Sequence, residues 1–214
     1  NSTIKAFQGE LESSFEVSRL IVGVDPIRNL TGEFPVTGHI AYSGANKSFG
    51  FHTGYLNSYQ VSATVGQIPS IITAFTVYGS LGGGITSPIA SPQTAYPILI
   101  ANPGSIVLTL EEAVSKRVIS FDYKVNVTRT PYYGMGSIIP FEIATEYPIF
   151  IDLDLGIEID NDYSSNEFNN LICAPRIQNI TLEFRNCTDS IMSFVLQNAE
   201  LLSENFGASV NNNT

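Results

Sequence analysis

The chain has 214 residues, a formal net charge of −10, 43% hydrophobic side chains and only 14% charged ones, enough length for one large or two small β domains with a sizeable core. Lys and Arg together number 10 and form no basic stripe, which excludes nucleic acid as a partner and disfavours an anionic membrane surface. No run of about 18 apolar residues occurs, so no membrane-spanning helix is expected.

The chain begins at Asn1 rather than Met, as expected of a mature form whose signal peptide has gone. An apolar N-terminal helix is also missing, which argues against a type IV pilin-like subunit. The first patterned stretch is FQGELESSFEV, residues 7–17. Phe7, Gly9, Leu11, Ser13, Phe15 and Val17 are apolar or small, and Gln8, Glu10, Glu12, Ser14 and Glu16 are polar. This period of two predicts a strand with one dry face and one acidic face. After Val17 the phase is expected to shift, because RLIVGV is a solid apolar run. It reads as a strand buried on both faces or bulged near Gly23. DPIRNLTGEFP follows as a turn-rich connection.

VTGHIAYSG, SFGFHTGYL, YQVSATVGQ and IITAFTVYGS read as strands, with a break expected around Asn57 and Ser58. Residues 80–103 carry Pro88, Pro92, Pro97 and Pro103 and the triple glycine 82–84. No element interior tolerates that density, so an exposed loop around residues 85–94 with short edge strands beside it is expected. SIVLTL is a strand, and EEAVSK suggests one helical turn. RVISFDYKVNVTRT reads as one interior strand, followed by a turn in TPYYGMGS and two short pieces in IIPFEIATEYP. IFIDLDLGIEID alternates again, with Ile149, Ile151, Leu153, Leu155, Ile157 and Ile159 set against Asp152, Asp154, Glu158 and Asp160. RIQNITLEFRN is a further strand, and residues 190–202 fit a helix or a strand equally. About ten to thirteen short strands, with turn signals every eight to twelve residues or so, predict an all-β, Ig-like antiparallel β-sandwich.

N-x-S/T sequons stand at Asn1, Asn29, Asn46, Asn126, Asn179, Asn186 and Asn212, several times the number chance placement gives. Asn126 and Asn179 fall on the polar phase of their strands, and Asn29 and Asn46 on turn-like stretches, so N-linked glycans are expected. Cys173 and Cys187 are the two cysteines. In a secreted chain they are expected to form one disulfide, worth roughly 3 kcal/mol for a loop of this size.

Chemistry-bearing patterns are sparse. His39 and His52 sit in strand patterns, apart from any catalytic spacing. The glycines 82–84 are not followed by Lys-Ser/Thr and a helix, so they make no phosphate loop. The acidic row Asp152, Asp154, Glu158, Asp160 and Asp162 reads as a solvated face rather than a calcium loop or a glycosidase pair. A Lys–Asn isopeptide crosslink is disfavoured, because Lys124 lies on a polar face and Lys5 in the tail. No enzyme activity, catalytic residue, metal site or cofactor is therefore expected.

A secreted, sugar-covered β-sandwich without an active site reads as structural or adhesive. A terminal alternating strand free of Pro has the properties of a donor strand, which fills an incomplete neighbouring sheet and gives main-chain hydrogen bonds along a groove. Such a head-to-tail contact does not close, so it makes a filament. The same strand can equally be the first strand of its own sandwich.

On these features the chain resembles the subunit of the archaeal thread filament, a surface fibre of thermoacidophilic archaea. The resemblance rests on the alternating tail at residues 7–17, the seven sequons, the Cys173/Cys187 pair and the missing pilin helix. It covers the whole chain as a pattern, without one diagnostic motif. It implies Ig-like subunits joined by donor-strand complementation, similar in architecture to chaperone–usher pilins. It also implies a donor tail at residues 1–20 and a sandwich head at residues 21–214. Phe7, Leu11, Phe15 and Val17 would be the donor side chains and Gly9 the small one, with Ser13 on the same donor face. Partners would be copies of the chain itself in an extracellular homopolymer, with a surface or glycan receptor beyond it. Low charge content would suit an acidic medium, where most carboxylates are neutral. Two alternatives stand beside this reading. One is a stand-alone surface protein, such as an S-layer, virion or adhesin component. The other is a carbohydrate-binding module built on Tyr132, Tyr133 and Tyr147.

Overall fold

The computed structural model describes residues 12–21, 25, 27, 33–42, 47–85, 99–110, 113–158, 177–187, 189–203 and 205. Among them the chain forms thirteen strands and no helix. In order these are β1 Ser13–Leu20, β2 Val36–Tyr42, β3 Lys47–Thr64, β4 Ser70–Val77 and β5 Leu81–Gly83. Next come β6 Ile106–Leu110, β7 Ala113–Ser115, β8 Val118–Asn126 and β9 Arg129–Tyr132. The last four are β10 Glu142–Thr145, β11 Phe150–Ile157, β12 Ile177–Asn186 and β13 Asp189–Glu200. The all-β antiparallel class read from the pattern is the class of this structure.

The chain divides into two compact units, residues 1–101 with 120–156, and residues 102–119 with 157–214. The first carries a seven-stranded sheet ordered β1-β4-β3-β8-β11, with β2 and β5 also pairing on β3, and a two-stranded sheet of β9 and β10. The second carries a four-stranded sheet ordered β13-β12-β6-β7.

In the seven-stranded sheet, side chains on alternate positions line up across strands into rows. Phe15 of β1 faces Phe75 of β4, which faces Leu56 of β3. Val17 leads to Thr73, Tyr59 and Val125, and Arg19 leads to Ile71, Val61 and Tyr123. Of these, Leu56, Tyr59, Val61, Ile71, Thr73 and Phe75 are buried. Phe51 caps the first row, with ring centroids 5.0 Å from Phe15 and 5.3 Å from Phe75. Its ring can lie against the sheet only because position 54 is glycine. A Cβ there would stand 2.3 Å from Phe51 Cε2, closer than any real contact. In the four-stranded sheet the rows are Leu108–Leu182–Phe194 and Ile106–Phe184–Met192.

Several expectations are corrected. The break at Asn57 is a β-bulge inside an 18-residue strand, not a turn: Leu56 faces Phe75 and Ser58 faces Ala74. The extra residue moves the inward phase from Leu56 to Tyr59 without ending the ladder, and the Asn57 carbonyl accepts a bond from Val127 N at 2.7 Å. The helical turn expected in EEAVSK is strand β7, held by antiparallel pairing of Ala113–Ser115 to Leu108–Leu110. RVISFDYKVNVTRT is two strands, because Arg129–Tyr132 pairs with Glu142–Thr145 instead. Of the helix and the strand that residues 190–202 fit equally, the structure has the strand, Asp189–Glu200, since β12 offers it a ladder. The phase does not shift after Val17. Exposure alternates without interruption through Leu20, so Arg19 points inward and Leu20 outward, at 45% exposure. The expected loop at residues 85–94 lies outside the described residues except for Ile85, which is buried.

Candidate functional site at the first strand

Among the described residues β1 is an edge strand, paired to one neighbour only, and that neighbour belongs to its own chain. All eight residues pair antiparallel with β4 without a bulge, from Ser13 opposite Val77 to Leu20 opposite Ser70. Ile21 N extends the ladder to Pro69 O at 3.0 Å. Of the residues read as a donor face, Ser13, Phe15 and Val17 lie on the inner side of β1, each half-buried. Phe7, Gly9 and Leu11 lie outside the described residues.

The two ends of β1 are anchored differently. At the N-terminal end Phe15 packs on the cluster of Phe51, Leu56, Phe75 and Val77. At the C-terminal end Arg19 enters a polar network. One guanidinium nitrogen, Nη2, donates to both carboxylate oxygens of Asp25 at 2.8 Å, and Nη1 donates to Thr73 Oγ1 at 2.9 Å. The Asp25 side chain is 1% exposed. It also accepts from Tyr59 Oη at 2.8 Å and from Ile27 N at 3.1 Å. A carboxylate can be buried at this depth only because it is paired and its oxygens are occupied. Burial pushes the Tyr59 phenol above its ordinary value, and its hydrogen bond to Asp25 adds to the rise.

Arg19, Asp25, Tyr59 and Thr73 were not singled out by pattern alone. A signal existed: Arg19 holds the odd-numbered phase of the apolar face of residues 7–17, and a cation on such a face requires a buried partner. Asp25 was concealed by Pro26, which made it look like a turn residue.

The remaining expected sites lie elsewhere. Asn126, Asn179 and Asn186 are exposed, at the end of β8, within β12 and at the end of β12. Asn179 Oδ1 accepts from Asn198 N at 3.1 Å, which leaves its amide nitrogen as the atom a glycan would use. Asn1, Asn29, Asn46 and Asn212 lie outside the described residues. Cys187 is exposed, in the tight turn between β12 and β13, at φ 54°, and its thiol has no disulfide partner among the described residues. Its expected partner Cys173 lies outside the described residues.

Tyr132 and Tyr147 are exposed and Tyr133 is half-buried. Next to them on the chain, the Arg129 guanidinium lies 5.0 Å over the Tyr55 ring and donates to Thr145 Oγ1 at 2.7 Å. Burial lowers the Arg129 pKa from its ordinary value. Asp152, Asp154 and Glu158 are exposed, and Asp160 and Asp162 lie outside the described residues. Among the described residues no group of three His, Cys, Asp or Glu side chains could hold a metal ion, and no helix is long and apolar enough to cross a membrane. No protein-family profile matches this chain, and no curated protein matches it.

Proposed function

We propose that the chain is a structural subunit of an extracellular, glycosylated filament, in which β1 of one copy takes the place of β1 in the sheet of the next. The observation that carries this reading is the position of β1. Among the described residues it is the first strand, it lies at a sheet edge, and it pairs along its whole length with a single strand. Removing it uncovers the β4 edge and the inner row of Phe75, Thr73 and Ile71, which a second β1 fits by the same register. Exposed sequons at Asn126, Asn179 and Asn186 support a secreted, sugar-covered surface. The role is one of assembly and adhesion rather than catalysis, with no cofactor beyond attached glycans.

A second reading has its own observation. In the single chain β1 completes its own sheet, as a stand-alone surface protein requires. Electron micrographs of the native material separate the two. Filaments that disappear on deletion of residues 1–18 support exchange. Discrete particles, or filaments that survive the deletion, leave the stand-alone reading.

A further inference from the structure

We infer that Arg19 is the residue by which a β1 strand is selected and set in register: a strand is accepted where its guanidinium meets the buried Asp25 carboxylate of the receiving sheet. This rests on the reading that β1 is exchanged between copies.

The apolar face alone defines register poorly. Leu11, Ser13, Phe15 and Val17 recur every two residues, so a slip of two keeps every inward side chain apolar or small. Among the apolar and small positions, such a slip changes burial chiefly at Phe15, whose ring leaves the cluster of Phe51, Leu56, Phe75 and Val77. Arg19 differs in kind. It is the only Lys or Arg between Ala6 and Ile27. A two-residue slip carries its guanidinium about 7 Å along the strand, beyond reach of Asp25 and Thr73. The carboxylate is then left buried without this cation, since its other donors among the described residues, Tyr59 Oη and Ile27 N, are neutral. An unpaired buried charge of this sort disfavours the wrong register by roughly a hundredfold or more. Lysine would not replace arginine here, because a single ammonium does not reach Asp25 and Thr73 together as the two guanidinium nitrogens do.

The receiving half of the pair stays with the body of the chain. Asp25 is held by Tyr59 of β3 and by the Ile27 backbone, and only Arg19 is carried on the strand. An arriving strand therefore supplies the one group that the vacated sheet lacks.

Two full-length variants test this, Arg19→Met and Asp25→Leu, each mismatched with itself and matched with the other. Polymer is read by electron microscopy and sedimentation, and folding by thermal melting. Each variant alone is expected to lose polymer by roughly a hundredfold. An equimolar mixture, denatured and refolded together, is expected to regain it, as is one chain carrying both changes. If a single variant does not fold alone, recovery of folded protein on co-refolding is the same readout. Single variants that polymerise like the unaltered chain overturn the role of Arg19 and leave exchange standing. Rescue in the doubly changed chain but not in the mixture means that Arg19 meets only its own Asp25. That result overturns exchange and the selection built on it.

Discussion

The two ends of β1 bury comparable side chains by opposite means. At Phe15 the contact is a set of rings 5.0 to 6.3 Å apart, which tolerates small displacements. At Arg19 it is a set of hydrogen bonds of 2.8 to 2.9 Å that tolerates almost none. The apolar end holds the strand, and the charged end determines where it is held. Affinity and register are thus separated along one eight-residue element, which is useful for a strand that must be tight in one position and unstable in the next.

The largest effect expected from breaking this division is at the charged end. Arg19→Met leaves the Asp25 carboxylate buried without a cation and should destabilise the chain by about 3–5 kcal/mol. Guanidinium chloride unfolding would register it as a lower midpoint with an unchanged slope. Phe15→Ala removes half-buried ring area and should cost less, about 2–3 kcal/mol by the same measurement. If the order of these two were reversed, the charged end would not be the stricter anchor.

Tyr59→Phe sharpens the comparison, because it removes one donor to Asp25 while keeping the ring. A cost of about 1 kcal/mol at neutral pH is expected. Burial, and the bond to Asp25 after it, raise the folded-state pKa of this phenol above the ordinary value of 10.0. A raised pKa means that the stabilisation is fully present below pH 10 and is lost as pH rises beyond it, because the unfolded chain ionises first. Stability of the unaltered chain should therefore fall above about pH 10, and that of Tyr59→Phe should fall less steeply. A pH series of thermal melts reads both slopes. The smallest effect is expected on the wet face of the same strand. Glu16→Ala touches neither anchor and should stay within about 0.5 kcal/mol of the unaltered chain.

Much of the fold was legible because a strand that buries one face must alternate. β1, β2, β4, β6, β11 and β12 fall where alternation or β-branched runs put them. The misreadings share one cause. Asn57 looked like a break because a bulge changes phase as a turn does, and only the continuous ladder to β4 distinguishes them. Residues 113–115 have helical composition but pair with β6, and tertiary pairing overrides propensity over so short a span. The site was half legible. Phe15 and Val17 were identified by their phase, whereas Arg19 was missed because the apolar run after it suggested a shift that does not occur.

Taken alone, the sequence determines the antiparallel all-β class and the inward face of the first strand, since period-two alternation needs no knowledge of the partner. It also determines where glycans can attach, because a sequon is a local signal. Only the tertiary structure decides that β1 is an edge strand on β4 and that Arg19 meets Asp25 beneath Tyr59 and Thr73. Those facts join positions as far apart as Ser13 and Val77. Which inward-facing charge finds which buried partner depends on strand order and register, and a local pattern encodes neither.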